Sequence, residues 1–237
     1  TVYNVNITNT VDSVGNTMNA IVLPGRSDGF TAVADIDMDG LLDVVVTQGG
    51  LYVWNPRTNT LMGSFAEATN RGNTPFIGDV DGDGDPDIGL CGSSKLYMLS
   101  YDGTATLSLK WQLNTSDGSG YTGLSMFDFN QDGEMEIVYR DQTLLRIING
   151  ATAANLATIS STSGTGWEMP VVADIDNDGQ AEIVIGTSLS GSNNVGRMRA
   201  YKSNGQPWAP ARNMWNQVGY HNTNINDDLT VPQYQQN

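Results

Sequence analysis

The sequence predicts an all-β protein, a β-propeller of four-stranded antiparallel blades, and three observations carry that prediction. An acidic pattern occurs four times, beginning at Asp35, Asp79, Asp128 and Asp174, so that successive copies start 44, 49 and 46 residues apart. Short runs of β-branched and aromatic residues flank every copy, and turns containing Gly or Asn separate them. No stretch has the periodicity of an amphipathic helix or the length of a membrane span. Four short strands repeated roughly every 40 to 50 residues describe a propeller blade.

The elements follow in order. In the first unit Phe30–Ala34 leads into the acidic loop, Val44–Thr47 leaves it, and Leu51–Asn55 and Leu61–Phe65 complete the blade. The second unit offers Pro75–Gly78, Ile88–Leu90, Leu96–Ser100 and Leu107–Gln112; the third offers Gly123–Phe127, Ile137–Tyr139 and Leu144–Ile148. In the fourth, Pro170–Ala173 and Ile183–Gly186 are followed late by Met198–Tyr201, after a polar insertion over 189–196 that is expected to bulge as a loop. Repeats therefore span 28–73, 74–120, 121–166 and 167–210, in a single domain covering 1–237. The period predicts about five blades, the last built from 1–27 and 211–237. The alternative is part of a larger propeller, whose open edge would recruit another copy or a precursor neighbour.

Each acidic loop places oxygen-bearing side chains at positions 1, 3, 5 and 9 and a Gly at position 6, which lets the chain turn and leaves the position 7 carbonyl free to face inward. The side-chain ligands are Asp35, Asp37, Asp39 and Asp43; Asp79, Asp81, Asp83 and Asp87; Asp128, Asn130, Asp132 and Glu136; and Asp174, Asp176, Asp178 and Glu182. Leu41, Asp85, Glu134 and Gln180 contribute backbone oxygens. Five hard oxygen donors, with water completing the shell, suit Ca²⁺, and about four ions are expected. The loops contain no His or Cys, and the whole chain has only His221 and Cys91, so zinc and other soft metals are disfavoured.

These loops resemble the calcium sites of the FG-GAP or VCBS-type repeats, the family that builds integrin alpha N-terminal propellers and many bacterial surface and secreted proteins. The resemblance covers residues 28 to about 210, and the segment Trp208–Pro232 is similar to the closing part of such domains in large extracellular proteins of Bacteroidetes-type bacteria. It implies a secreted or cell-surface, calcium-stabilised module for adhesion, ligand display or structure. It implies no reaction, and the full Phe-Gly and Gly-Ala-Pro signature of the integrin version is absent.

The net charge of −15 is mostly metal chemistry, since 17 of the 26 acidic residues lie inside the loops. Only 11 Lys and Arg are scattered along the chain, which argues against a nucleic-acid partner. The partner expected is a protein or a glycan. Cys91 has no disulfide partner and reads as a small buried hydrophobe. A calcium-bound carboxylate makes a poor general acid, and Glu67, Asp117, Asp141 and Glu168 read as solvated loop charges, so no catalytic residue is assigned. Were there catalysis, polysaccharide lyase or hydrolase chemistry would be its form. Of five Trp residues, Trp54, Trp111, Trp208 and Trp215 read as packing, while Trp167, in the small-residue loop Thr162–Pro170, is the candidate ligand-binding residue of a lectin-like alternative.

Overall fold

The structure, a computed structural model, describes residues 10–11, 17–18, 29–47, 49–66, 74–189, 192–217, 220 and 225–232. A two-stranded ribbon joins β1 (Thr10–Val11) and β2 (Thr17–Met18). The first four-stranded sheet is β3 (Phe30–Ala34), β4 (Asp43–Thr47), β5 (Gly50–Asn55) and β6 (Thr60–Ala66). The second is β7 (Phe76–Gly78), β8 (Asp87–Gly92), β9 (Lys95–Ser100) and β10 (Ser108–Asn114), and the third β11 (Leu124–Phe127), β12 (Glu136–Arg140), β13 (Leu144–Asn149) and β14 (Asn155–Ser160). A three-stranded sheet follows, with β15 (Val171–Ala173), β16 (Glu182–Leu189) and β17 (Ser192–Tyr201). All neighbours are antiparallel and consecutive in the chain, as short hairpin connections require.

Register sets the acidic loops. In every sheet the residue just before the loop pairs with the acid at position 9: Ala34 with Asp43, Gly78 with Asp87, Phe127 with Glu136 and Ala173 with Glu182. The acid at position 9 is therefore the first residue of a strand, anchored on the ladder.

The core lies between sheets. Val45, Leu51 and Val53 of the first sheet form one buried cluster with Ile88, Leu90, Tyr97 and Leu99 of the second. Cys91, Leu96 and Met98 meet Leu124, Ile137, Tyr139 and Ile148, and Val138, Leu145 and Ile147 meet Val172, Ile183 and Ile185. Burying such aliphatic side chains stabilises by about 1.5 to 3 kcal/mol each. Trp111 bridges the second and third sheets by donating its indole N–H to the Gly150 carbonyl at 2.6 Å.

The predicted propeller is corrected by this packing. The inner strands meet only in sequence, β3 with β7, β7 with β11 and β11 with β15, and no comparable contact joins β15 back to β3. The physical sign of an open row is the residue at loop position 2. Ile36, Val80 and Phe129 are buried in the clusters between successive sheets, but the equivalent Ile175 is 51 % exposed, because among the described residues no further sheet covers it. Most of the predicted closing blade over 1–27 and 211–237 lies outside the described residues, and the described part of 211–237 contains no strand. After Tyr201 the chain carries Pro207 and Pro210, which withhold N–H donors from a ladder. It crosses the third and fourth sheets instead: Ala209 N donates to Phe129 O at 2.8 Å, Ala181 N to Ala209 O at 3.1 Å and Asp174 N to Arg212 O at 3.1 Å, with Trp208 and Trp215 against the core.

The expected loop over 189–196 is corrected as well. β16 and β17 pair as far as Ser188 with Gly196 and Leu189 with Ser192, so most of the insertion extends a hairpin. Ser188 anchors it, donating its N–H to Thr162 O at 3.1 Å.

Candidate metal centres

The four acidic loops adopt one backbone pattern. Positions 4 and 6 are both left-handed: Met38 and Gly40, Gly82 and Gly84, Gln131 and Gly133, Asn177 and Gly179. Two such turns in succession direct the amides of positions 5 and 6 inward. The position 1 carboxylate collects them, as Asp39 N and Gly40 N donate to Asp35 at 3.0 and 2.7 Å. The arrangement recurs with Asp83 and Gly84 on Asp79 (3.2 and 2.9 Å), Asp132 and Gly133 on Asp128 (3.2 and 3.0 Å), and Asp178 and Gly179 on Asp174 (3.2 and 3.0 Å). At position 5, one oxygen of Asp39, Asp83, Asp132 or Asp178 accepts the amide of position 7 at 2.8 to 3.0 Å. Each loop is thus pre-shaped by its own backbone.

Position 9 is the informative one. One oxygen accepts the amide of position 2: Ile36 N to Asp43 Oδ2 at 3.2 Å, Val80 N to Asp87 Oδ2 at 3.3 Å, Phe129 N to Glu136 Oε2 at 2.8 Å and Ile175 N to Glu182 Oε2 at 3.0 Å. The other oxygen, Asp43 Oδ1 or Glu182 Oε1, is buried without a hydrogen-bond donor, and Asp81 Oδ1 in the second loop is likewise buried without one. A buried oxygen of this kind carries the desolvation penalty of its charge unless a cation answers it. Burial accordingly pushes up the carboxyl groups of Asp43 and Glu136, and lifts Asp87 to about 6.

Among the described residues, acidic oxygens converge in three loops. Oxygens of Asp35, Asp37 and Asp39, of Asp79, Asp81 and Asp87, and of Asp174, Asp176 and Glu182 each lie within 4.8 Å of one another, close enough to chelate one divalent cation. In the third loop Asn130 Nδ2 turns toward Asp132 Oδ2 at 2.9 Å and Glu136 Oε1 at 3.4 Å. The side chains of Asp85 and Glu134 lie off the converging set, and Leu41 is exposed.

Three cationic side chains near the loops were not singled out from the sequence. Lys110 of β10 approaches Asp81, Asp87 and Asp83 at 2.6, 2.9 and 3.5 Å. Burial opposes its charge, but hydrogen bonds to Asp81 and Asp87 outweigh that and hold the ammonium above its ordinary pKa. Lys202 reaches Asp176 and Asp178 at 3.0 and 2.6 Å, while Arg57 stands 3.5 and 3.8 Å from Asp39 and Asp43. They share no constant spacing from the acidic pattern, so the repeat gives no signal for them.

Outside the loops, Asp117 and Asp141 are buried, a correction to their reading as solvated charges. Asp117 closes a turn through Ser119 N at 2.8 Å and Thr122 Oγ1, and Asp141 accepts Thr143 N, Leu144 N and Arg146 Nη2 at 2.9, 2.8 and 3.0 Å. Glu168 is committed to Ser163 Oγ and Gly166 N, and Glu67 lies outside the described residues. Trp167 is 73 % exposed, stacked on Tyr121 with ring centroids 5.0 Å apart and tilted against Phe30 at 5.7 Å.

Residues 79–139 match the model of the FG-GAP-like repeat, a stretch that contains the whole of the second and third acidic loops. The fold is similar to the Vibrio cholerae biofilm matrix protein Bap1, with 14 % identity, a TM-score of 0.69, and coverage of 97 % of this chain. The chain spans 65 % of the length of that protein. Weaker likenesses are BBS1N in complex with ARL6DN (14 % identity, TM-score 0.49, covering 69 % of this chain and 52 % of that one) and an Agrocybe aegerita lectin that recognises non-reducing terminal N-acetylglucosamine (15 %, 0.43, covering 72 % and 51 %). No curated protein matches the chain. Among the described residues no helix is long and apolar enough to cross a membrane.

Proposed function

We propose that this chain is a calcium-clipped extracellular module of a bacterial surface or matrix protein, acting in adhesion, ligand display or structure. The observation that supports it best is the set of buried carboxylate oxygens without hydrogen-bond donors at Asp43, Asp81 and Glu182, in loops whose position 1 carboxylates are already held by backbone amides. A hard dication answers the charge of those oxygens. Calcium is held by side chains at positions 1, 3, 5 and 9 and by the carbonyls of Leu41, Asp85, Glu134 and Gln180, about one ion per loop. Bound only by the folded state, it stabilises by mass action and replaces the cross-links that a lone Cys91 cannot form. The similarity to a biofilm matrix protein favours an external location, where calcium is plentiful.

The test is thermal unfolding of the chelator-treated protein against calcium, with magnesium as control. A midpoint that rises with calcium through the micromolar to millimolar range and much less with magnesium supports the proposal; no response removes it.

A glycan ligand is the second reading, and Trp167 favours it. A large exposed indole supported from behind by Tyr121 is a platform for the C–H face of a sugar ring. Binding to a panel of neutral and acidic polysaccharides, lost in Trp167→Ala with the fold intact, tests that reading; equal binding by the variant sinks it.

A further inference from the structure

The four loops differ in what already neutralises them. In the second, the Lys110 ammonium lies 2.6 Å from Asp81 Oδ2, 2.9 Å from Asp87 Oδ1 and 3.5 Å from Asp83 Oδ2, so one nitrogen touches positions 3, 5 and 9 together. Its side chain is only 19 % exposed and projects from β10, the outermost strand of the same sheet as the loop. In the fourth loop Lys202 touches positions 3 and 5, Asp176 and Asp178, but stays half exposed and leaves Glu182 Oε1 without a donor. Arg57 stands no nearer than 3.5 Å to the first loop's carboxylates. Among the described residues no Lys or Arg forms an ion pair with the third loop, where the Asn130 amide is the donor.

We propose that Lys110 is a built-in occupant of the second loop: its ammonium takes the place of the ion, and calcium enters there only by displacing it. The inference rests on the calcium reading of the loops and adds an order of filling, with the second loop last. Calcium bonds oxygens at about 2.3 to 2.6 Å, and an ammonium with N–O distances this short uses the same oxygens from the same region of space. Two cations cannot share it, because their repulsion in a partly buried site is far larger than across open water. Displacement breaks the pairs to Asp81 and Asp87 and drives the lysine side chain off the sheet. In return the second loop needs no metal to stay folded. Lys110 thus acts as a positioning residue that keeps one hairpin closed when calcium is scarce.

The test is calcium titration of the whole chain by isothermal calorimetry, with metal-free thermal unfolding alongside. In the wild type, one site is expected to be at least about tenfold weaker than the rest. Lys110→Met keeps the length of the side chain and should bring that site level with the others while lowering the metal-free midpoint, the loss being restored by calcium. Lys110→Arg, which keeps the charge, should retain the weak site. Equal sites in the wild type, or a Lys110→Met titration superimposable on it, overturn the role of Lys110 and leave the calcium reading standing. No calcium uptake by wild type and Lys110→Met alike overturns the calcium reading itself. Should Lys110→Met fail to fold without metal, its recovery by calcium supports the proposal, and failure to recover counts against it.

Discussion

Replacing Glu182 by Gln should move stability in opposite directions with and without calcium. Glu182 begins β16 and is buried, with Oε2 receiving the Ile175 amide at 3.0 Å and Oε1 without a donor. Without metal, that second oxygen is a buried, unanswered acceptor on a charged group, a penalty of about 1 to 3 kcal/mol. Gln has nearly the same shape, can still accept from Ile175, and removes the charge. The metal-free variant should therefore be more stable by about 1 to 2 kcal/mol, a rise of roughly 3 to 6 °C in a domain of this size. With calcium the sign reverses, because an anionic ligand is gone. A site held at a hundred times its dissociation constant contributes about 2.7 kcal/mol, and most of that is lost. Calorimetric melting of both proteins, metal-free and in millimolar calcium, reads the two shifts. Destabilisation of equal size in both conditions would refute the reasoning, since it would mean that Glu182 acts through packing alone.

Three further outcomes are expected. The metal-free protein should lose stability as pH rises: burial lifts Asp87 from its unfolded value of 3.8 to about 6, so its contribution is present below 3.8 and disappears through 6, worth at most about 3 kcal/mol. Asp141, held below the carboxylate range by Thr143, Ser116 and Leu144 despite its burial, works the other way and is lost toward strong acid. Urea unfolding of the dialysed protein at pH 4.5 and 7.5 checks this, and greater stability at pH 7.5 contradicts it. Gly150→Ala should destabilise by about 2 kcal/mol or more, because a Cβ there meets the Met135 carbonyl and lies 2.8 Å from the Val80 Cβ, backbone and core that cannot both retreat; a midpoint within a degree of wild type would contradict this. Trp167→Ala should change stability by less than about 1 kcal/mol, its indole being mostly exposed, so a large drop in the midpoint would assign Trp167 to packing.

The hairpins around the acidic loops were legible in the sequence because ligand spacing and strand alternation specify the same register. Asp43, Asp87, Glu136 and Glu182 are at once the ninth position of the pattern and the first residue of a strand. Ring closure was not legible, because it depends on what lies beside a sheet and not on the sheet itself. The four position 2 residues look alike in sequence, yet Ile36, Val80 and Phe129 are buried and Ile175 is exposed. The burial of Asp117 and Asp141 was hidden for a similar reason: an Asp in a turn reads as solvated until the neighbouring strand is known to cover it. Lys110 escaped notice because it comes from a strand distant in sequence from Asp81, joined only by sheet order.

The central claim, that calcium occupies these loops, is tested most directly by diffraction from crystals grown in millimolar calcium, with anomalous data collected at a wavelength long enough to identify the ion. The account predicts peaks bounded by Asp35, Asp37, Asp39 and Asp43, by Asp128, Asp132 and Glu136, and by Asp174, Asp176, Asp178 and Glu182, each with oxygens at about 2.3 to 2.6 Å. Absence of a peak from these three loops at saturating calcium, their carboxylates answered only by lysine, arginine and water, would contradict it.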